Sequence, residues 1–400
     1  MDLSSGLETL LLVAVVAMVA PVLAALLPGP RIPQVVLLLL GGVLVGPQAL
    51  ALADSASIAL IADVGLGFLF LMAGYELDLR LFRQRAGRLA VLSWLVSAVL
   101  AVGVTAVLAW SGFVRAFVPV ALALTTTALG VLLPILRDNG MLRGRLGPHV
   151  LAAGAVGELF PIVAIAVFLG TNDQFVALAS IASVAALAAL LTVLPRLVRR
   201  TRIEQILVQG EHATAQTSVR SAVVLLLLLL VLANSFALDV ILGAFLAGIV
   251  LRRWAPGDAE SLEGKLDAIG YGFFIPVFFV WSGMNLDVAS IAESPARLPV
   301  FLLLLLVIRG VPALLVHRRA LPLPERVQLV FTTAVALPLL VALSEIGLRN
   351  GTMLAENAAS LVGAGALSVL LFPLVAVEIE RRRRARVPPE PSGPDALTDR

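Results

Sequence analysis

The 400-residue chain has no cysteine, three histidines and a single lysine, Lys265. Without cysteine there are no disulfides, thiolate metal sites or cysteine nucleophiles, and three histidines do not make a histidine-rich metal centre. No P-loop or kinase motif occurs, so ATP-driven chemistry has no support, and no cofactor is expected. Charge is scarce too: 14% of residues are Asp, Glu, Lys or Arg, against about 25% in soluble domains. Apolar sequence fills the chain instead, at 60% of residues and a mean hydropathy of +1.02. This balance excludes an ordinary soluble enzyme and predicts an all-α polytopic membrane protein.

A membrane span needs roughly 20 mostly apolar residues. Apolar stretches bounded by charged or Gly/Pro-rich turns fall at about 7–27, 32–52, 58–75, 89–110, 116–136, 148–170, 175–195, 218–236, 239–251, 266–284, 298–316, 326–346 and 354–378. They predict about 13 transmembrane helices. With the N-terminus outside, only Arg115, Arg297 and Arg349 fall in outer loops and only Arg309 lies deep in a span. Every other basic residue falls inside, so the predicted topology is N-out and C-in. Residues 7–27 lack a basic n-region and exceed a signal-peptide core in length, so they read as an uncleaved span. Residues 381–400, RRRRARVPPEPSGPDALTDR, read as a basic, Pro-rich cytoplasmic tail, disordered, that holds this end inside. Contact with lipid headgroups is its alternative role.

The chain repeats itself. Gly74, Leu77 and Asp78 recur as Gly283, Leu286 and Asp287; Thr126-Thr127-Ala128 recurs as Thr332-Thr333-Ala334; Gly41 and Gly46 recur as Gly243 and Gly248. These matches pair the third span with the tenth, the fifth with the twelfth and the second with the ninth. A shift of seven spans is odd, so the halves insert in opposite senses. Inverted repeats with broken helices at their interface mark secondary transporters with a midplane site.

Two charged residues lie at that depth, and intramembrane charge is a functional candidate by default. Glu158 is roughly 13 Å, and Arg309 about 12 Å, from the inner face at 1.5 Å per residue. Opposite charges at matched depth are natural partners, in an ion site or in a purely structural pair. Pro161 lacks an N–H and frees the Gly157 carbonyl; Pro338 does the same for Ala334, beside Thr332 and Thr333. Thr125, Thr126 and Thr127 sit mid-span, where their hydroxyls either face a cavity or bond the preceding turn. A carboxylate, hydroxyls and freed carbonyls at one level suit a dehydrated monovalent cation. Asp63, Asp239, Asp267 and Glu345 sit near span ends as caps or solvated groups, while Tyr75, Glu76 and Asp78 sit at the inner mouth, where they either attract cations or serve a helix-end and loop role.

The segments LLLLGGVLVGPQAL, LGFLFLMAGYELDL, TTTALGVLLPIL, LGAFLAGIVL and FFIPVFFVWSGMNLD resemble, in order, the motifs of the monovalent cation:proton antiporter family in its sodium/hydrogen exchanger and potassium-efflux branch. The resemblance covers roughly residues 7–378. It implies two inverted six-helix repeats joined by a linker helix at about 175–195, as a homodimer. Residues of about 7–75 and 218–284 would form the dimer scaffold. Residues of about 89–170 and 298–378 would form the ion-translocating core, with crossed, unwound helices. The family's ion site is Asp-Asp, Asn-Asp or Gln-Asp in the sixth span. Gly157-Glu158 stands at that place, so Glu158 inherits the carboxylate while the first position has no side chain. Arg309 falls where the family carries a core Lys or Arg.

The expected function is therefore exchange of Na⁺ or K⁺ for protons by alternating access. Glu158, Thr126, Thr127 and the Gly157 carbonyl are the expected ion ligands, with Arg309 as charge partner and Thr332, Thr333 and Pro338 at the crossover. One carboxylate exchanging one for one implies electroneutral transport. No metal is expected beyond the transported cation, and no nucleic-acid partner. The expected location is the plasma membrane of a prokaryote, in contact with lipid. A sodium-coupled organic-anion carrier of similar repeat and a non-transporting membrane scaffold or sensor are the alternatives.

Overall fold

The computed structural model describes residues 3–26, 32–169, 216–235, 240–254 and 259–385, with positions 179, 182–183 and 186–190. The expected linker helix falls largely outside these residues. Asp239, the arginines from 196 to 202 and the tail beyond 385 fall wholly outside them.

Every described regular element is helical, and nine described segments are long and apolar enough to cross a membrane. The first part runs α1 (Leu3–Leu26), α2 (Gln34–Val45), α3 (Ala59–Glu76), α4 (Arg85–Trp110), α5 (Phe117–Ala123), α6 (Leu129–Asp138) and α7 (Leu146–Phe168). The second runs α8 (Thr217–Ser235), α9 (Val240–Trp254), α10 (Ala259–Ile269), α11 (Ile275–Met284), α12 (Val288–Glu293), α13 (Arg297–Val316), α14 (Leu323–Thr333), α15 (Pro338–Arg349) and α16 (Ala355–Ala385). A π turn, Gly270–Phe274, joins α10 to α11. It lies where Gly270, Gly272 and the missing N–H of Pro276 weaken the helical ladder.

Most expected spans appear within a few residues of their predicted bounds, and three differ for local reasons. The span expected over 32–52 is helical only to Val45, a rise of about 18 Å. Gly46 turns extended (φ −71°, ψ 175°) before Pro47, and the chain folds back so that Leu52 N and Ala53 N both donate to Val45 O at 3.1 Å. The spans expected over 116–136 and 326–346 are each broken in the middle, into α5/α6 and α14/α15.

Glycines bring two helix pairs into backbone contact. A Cβ on Gly42 of α2 would strike the Val280 carbonyl of α11 and lie 3.0 Å from Gly283. A Cβ on Gly248 of α9 would strike the Leu71 carbonyl of α3 and lie 2.9 Å from the Gly74 carbonyl carbon. The Gly46–Met284 and Gly248–Tyr75 approaches fall at places matched by the internal repeat. Leu11, Met18, Val99 and Val224 project outward from α1, α4 and α8, as expected of faces solvated by lipid. α7 and the α14–α15 pair are the most enclosed of the long apolar segments, and the polar chemistry lies among them.

Candidate functional site

Helix α5 ends in three threonines. Thr125 and Thr126 turn their hydroxyls back onto Leu122 O (2.7 Å) and Ala123 O (2.8 Å), competing with the helical ladder, and residues 126–128 run without helix. Helix α14 ends the same way, with the Thr332 and Thr333 hydroxyls on Leu329 O at 3.2 and 2.8 Å. Residues 335–337 run without helix until Pro338, preset for a first helical turn, opens α15. The two breaks cross and bond directly. Ala128 N donates to Val335 O at 2.8 Å, and Thr127 Oγ1 donates to Thr333 O at 2.6 Å. Neighbouring helices brace the crossing: Trp94 Nε1 of α4 reaches Thr125 O at 3.2 Å, and Ala336 N reaches Ser368 Oγ of α16 at 3.0 Å.

Helix α7 supplies the third strut. The Gly157 carbonyl, freed by Pro161, accepts the Thr127 amide at 3.0 Å. One turn's missing bond is thus filled by the other helix's break. Glu158, 9% exposed, points the opposite way, and its Oε1 accepts the Leu129 amide at 2.7 Å. The carboxylate therefore sits at the positive end of α6, on backbone donors that the broken α5–α6 junction leaves unpaired.

Arg309 is 2% exposed and does not pair with Glu158. Its Nη2 and Nε donate to Thr127 Oγ1 at 2.7 and 3.1 Å. Weaker contacts reach Thr333 O at 3.4 Å and Ala153 O at 3.5 Å. The expected charge pairing is corrected accordingly. Matched depth along the membrane normal does not fix direction around it: Arg309 turns to Thr127 and Thr333, and Glu158 to the Leu129 amide. Two expected ligands change role with it. The Thr127 hydroxyl gives its proton to Thr333 and receives two from Arg309, so its capacity is spent. The Gly157 carbonyl already holds the Thr127 amide. The absence of a side chain at Gly157 has a cause as well: a Cβ there would lie 2.6 Å from Thr127 Cβ and 2.8 Å from Arg309 Nη2. Arg309 and Thr127 fill the space that a first-position side chain would need.

A narrow cavity opens on the free side of Glu158, and Thr126, Gly130, Tyr271 and Pro338 also line it. Its volume, for a water-sized sphere, is about 20 Å³, close to the roughly 10–15 Å³ that one water needs. Thr126 belongs to this lining, while Thr332 and Thr333 lie buried in the crossing. Glu76 is expected at the inner mouth, as a cation attractor or a helix end, and Tyr271 carries no expectation from the sequence. Both reach the first turn of α6: a Cβ on Gly130 would lie 3.9 Å from Glu76 Oε2 and 3.6 Å from the Tyr271 hydroxyl. The only available signal is the GYG step, Gly270-Tyr271-Gly272, in an otherwise apolar span.

The helical architecture resembles that of the sodium proton antiporter MjNhaP1 from Methanocaldococcus jannaschii, with a TM-score of 0.62 at 16% identity over 96% of this chain and 98% of that one. In sequence, the chain is 27% identical over 332 residues to the putative Na(+)/H(+) antiporter YjbQ of Bacillus subtilis, covering 78% of this chain and 53% of that protein. It is 26% identical over 283 residues to the Na(+)/H(+)-K(+) antiporter GerN of Bacillus cereus, covering 66% of this chain and 67% of that protein. The match thus takes in about half the length of the Bacillus subtilis relative. The model of the family described as sodium/hydrogen exchanger, transmembrane, matches residues 12–377. The chain belongs to the transmembrane sodium/hydrogen exchanger family, whose members are transporters rather than enzymes.

Proposed function

We propose that this protein exchanges a monovalent cation, Na⁺ or K⁺, for protons by alternating access, with Glu158 as the carboxylate that takes either one. The observation that carries this reading is the placement of Glu158: buried, fixed through Oε1 by the Leu129 amide and lining a cavity with room for about one water-sized particle. A stripped cation fits such a space and finds oxygen in Glu158 and Thr126. Because cation and proton compete for one carboxylate, each site visit carries one or the other, and exchange is one for one and electroneutral.

The moving core comprises α4–α7 and α13–α16, bound together at the crossing and through α4–α7, α13–α16 and α14–α16 packing. The scaffold comprises α1–α3 and α8–α11, tied by the close α2–α11 and α3–α9 contacts. Those contacts exchange under the repeat that pairs the second span with the ninth and the third with the tenth, which supports two inverted halves. We place the scaffold at a homodimer interface, with the N-terminus outside and the C-terminus in the cytoplasm of a prokaryotic cell. The organic-anion alternative is disfavoured by a cavity that is both small and acidic. Gradients of Na⁺, K⁺ and Li⁺ imposed on proteoliposomes test the reading. Cation-dependent proton movement is expected, and movement driven only by an organic anion would refute it.

A further inference from the structure

Glu158 can be approached from one side only. Towards the crossing, Arg309 and Thr127 fill the space next to Gly157; the open side looks past the first turn of α6 to Tyr271 and Glu76. Glu76 is the last residue of α3 and half-buried, and it makes no hydrogen bond or ion pair with any described residue. The charged groups around it are Asp267 and Glu263 of α10, Arg137 of α6 and Arg252 of α9. Arg252 lies beside it, its Nη1 taken up by a bond to the adjoining Tyr75 O at 2.7 Å and not by the Glu76 carboxylate. Glu158 bonds the Leu129 amide and Glu76 Oε2 overhangs the adjoining Gly130, so two carboxylates face consecutive residues of one helix start. Such a pair in a weakly polar site repels unless a cation or a proton lies between its members.

We propose that Glu76 is a second cation ligand of this transport site, a stationary one, which takes the incoming cation together with the Tyr271 hydroxyl and delivers it to Glu158. The proposal rests on the reading of Glu158 given above. Glu76 belongs to the scaffold and Glu158 to the core, so the two carboxylates share a cation only in the conformation in which the α6–α7 unit lies against the inner end of α3. Glu76 stays behind when the core moves, so it adds affinity on the cytoplasmic side without adding a charge to the transported set.

The test compares wild type, Glu76→Gln, Glu76→Asp and Glu158→Gln in proteoliposomes, with Na⁺ or K⁺ presented separately to each face. For Glu76→Gln, the apparent KM at the cytoplasmic face is expected to rise at least about tenfold, the scale of one unit charge a few ångströms away even in a water-like medium. The KM at the opposite face and kcat stay within about twofold, the pH profile at the cytoplasmic face shifts, and Glu76→Asp recovers part of the affinity. Glu158→Gln abolishes flux. Unchanged cytoplasmic KM and pH profile in Glu76→Gln, with flux still lost in Glu158→Gln, would overturn the role of Glu76 alone. Flux surviving in Glu158→Gln would overturn the site beneath it. If Glu76→Gln does not insert, Glu76→Asp decides: a wild-type KM at the cytoplasmic face contradicts the proposal, and a raised one supports it.

Discussion

Arg309 is bound to Thr127, not to Glu158: two guanidinium nitrogens converge on one threonine hydroxyl at 2.7 and 3.1 Å, and that hydroxyl passes its own proton to Thr333 O at 2.6 Å. The buried charge therefore fastens the crossing of the two broken helices and leaves the Glu158 carboxylate to the Leu129 amide.

Thr127→Val keeps the shape of the side chain and removes the acceptor. A buried guanidinium left short of hydrogen bonds should cost about 2–4 kcal/mol, read as a lower unfolding temperature in detergent. Thr127→Ser retains the hydroxyl and should stay within about 1 kcal/mol of wild type. Equal unfolding temperatures for the Val and wild-type proteins would remove Arg309–Thr127 from the account.

Gly157→Ala places a methyl group 2.6 Å from Thr127 Cβ and 2.8 Å from Arg309 Nη2. Overpacking of this kind costs about 1–3 kcal/mol. Transport should fall along with stability, because the crossing itself must shift. A fully active and equally stable Gly157→Ala protein would mean that the position tolerates a side chain after all.

Arg349 ties α15 to the start of α3. It pairs with Glu345 on its own helix at 2.8 Å and with Asp63 of α3 at 3.4 Å, and it lies over the Trp281 ring at 5.9 Å. The groups are half-exposed, so the link is weak, roughly 0.2–1 kcal/mol. Asp63→Asn should loosen that end and raise the labelling rate of Val341→Cys, which lines the adjacent cleft, by a few-fold. The cysteine-free sequence makes the introduced thiol the sole target. An unchanged rate would argue that this pair does not close the cleft.

Asp287 caps α12 by accepting the Ser290 amide at 3.1 Å and the Ser290 hydroxyl at 2.6 Å, and these bonds hold its carboxyl below the usual carboxylate range. A depressed folded value stabilises above the unfolded value near 4, and the contribution is lost as pH falls through the folded one. Wild type should therefore lose more thermal stability between about pH 5 and pH 3 than Asp287→Asn does. Parallel losses in the two proteins would remove the cap from the pH response.

Much of this arrangement is legible in the residues. The breaks at Thr125–Thr127 and at Thr332–Pro338 follow from hydroxyls that compete with the helix and from a missing N–H, and Pro161 by itself marks the Gly157 carbonyl as free. The partner of that carbonyl is not legible, because the Thr127 amide arrives from another helix. Depth along the membrane normal places Glu158 and Arg309 at one level, but the direction of each side chain depends on which neighbours fill the space, and here Gly157 makes room for Arg309. Glu76 reads as a helix end or a cation attractor at the inner mouth, and its nearness to Gly130 exists only after α3 packs against the broken α5–α6 segment. The short α2 is foreshadowed by Gly46-Pro47, yet the apolar run past it conceals the fold-back.

In the proposed mechanism one buried carboxylate carries both cation and proton. Its most direct test is cation-driven proton flux in proteoliposomes containing wild type, Glu158→Gln or Glu158→Asp. Saturable flux is expected in wild type, reduced flux in Glu158→Asp and none in a folded Glu158→Gln protein. Cation-driven proton flux that persists in Glu158→Gln would contradict this mechanism.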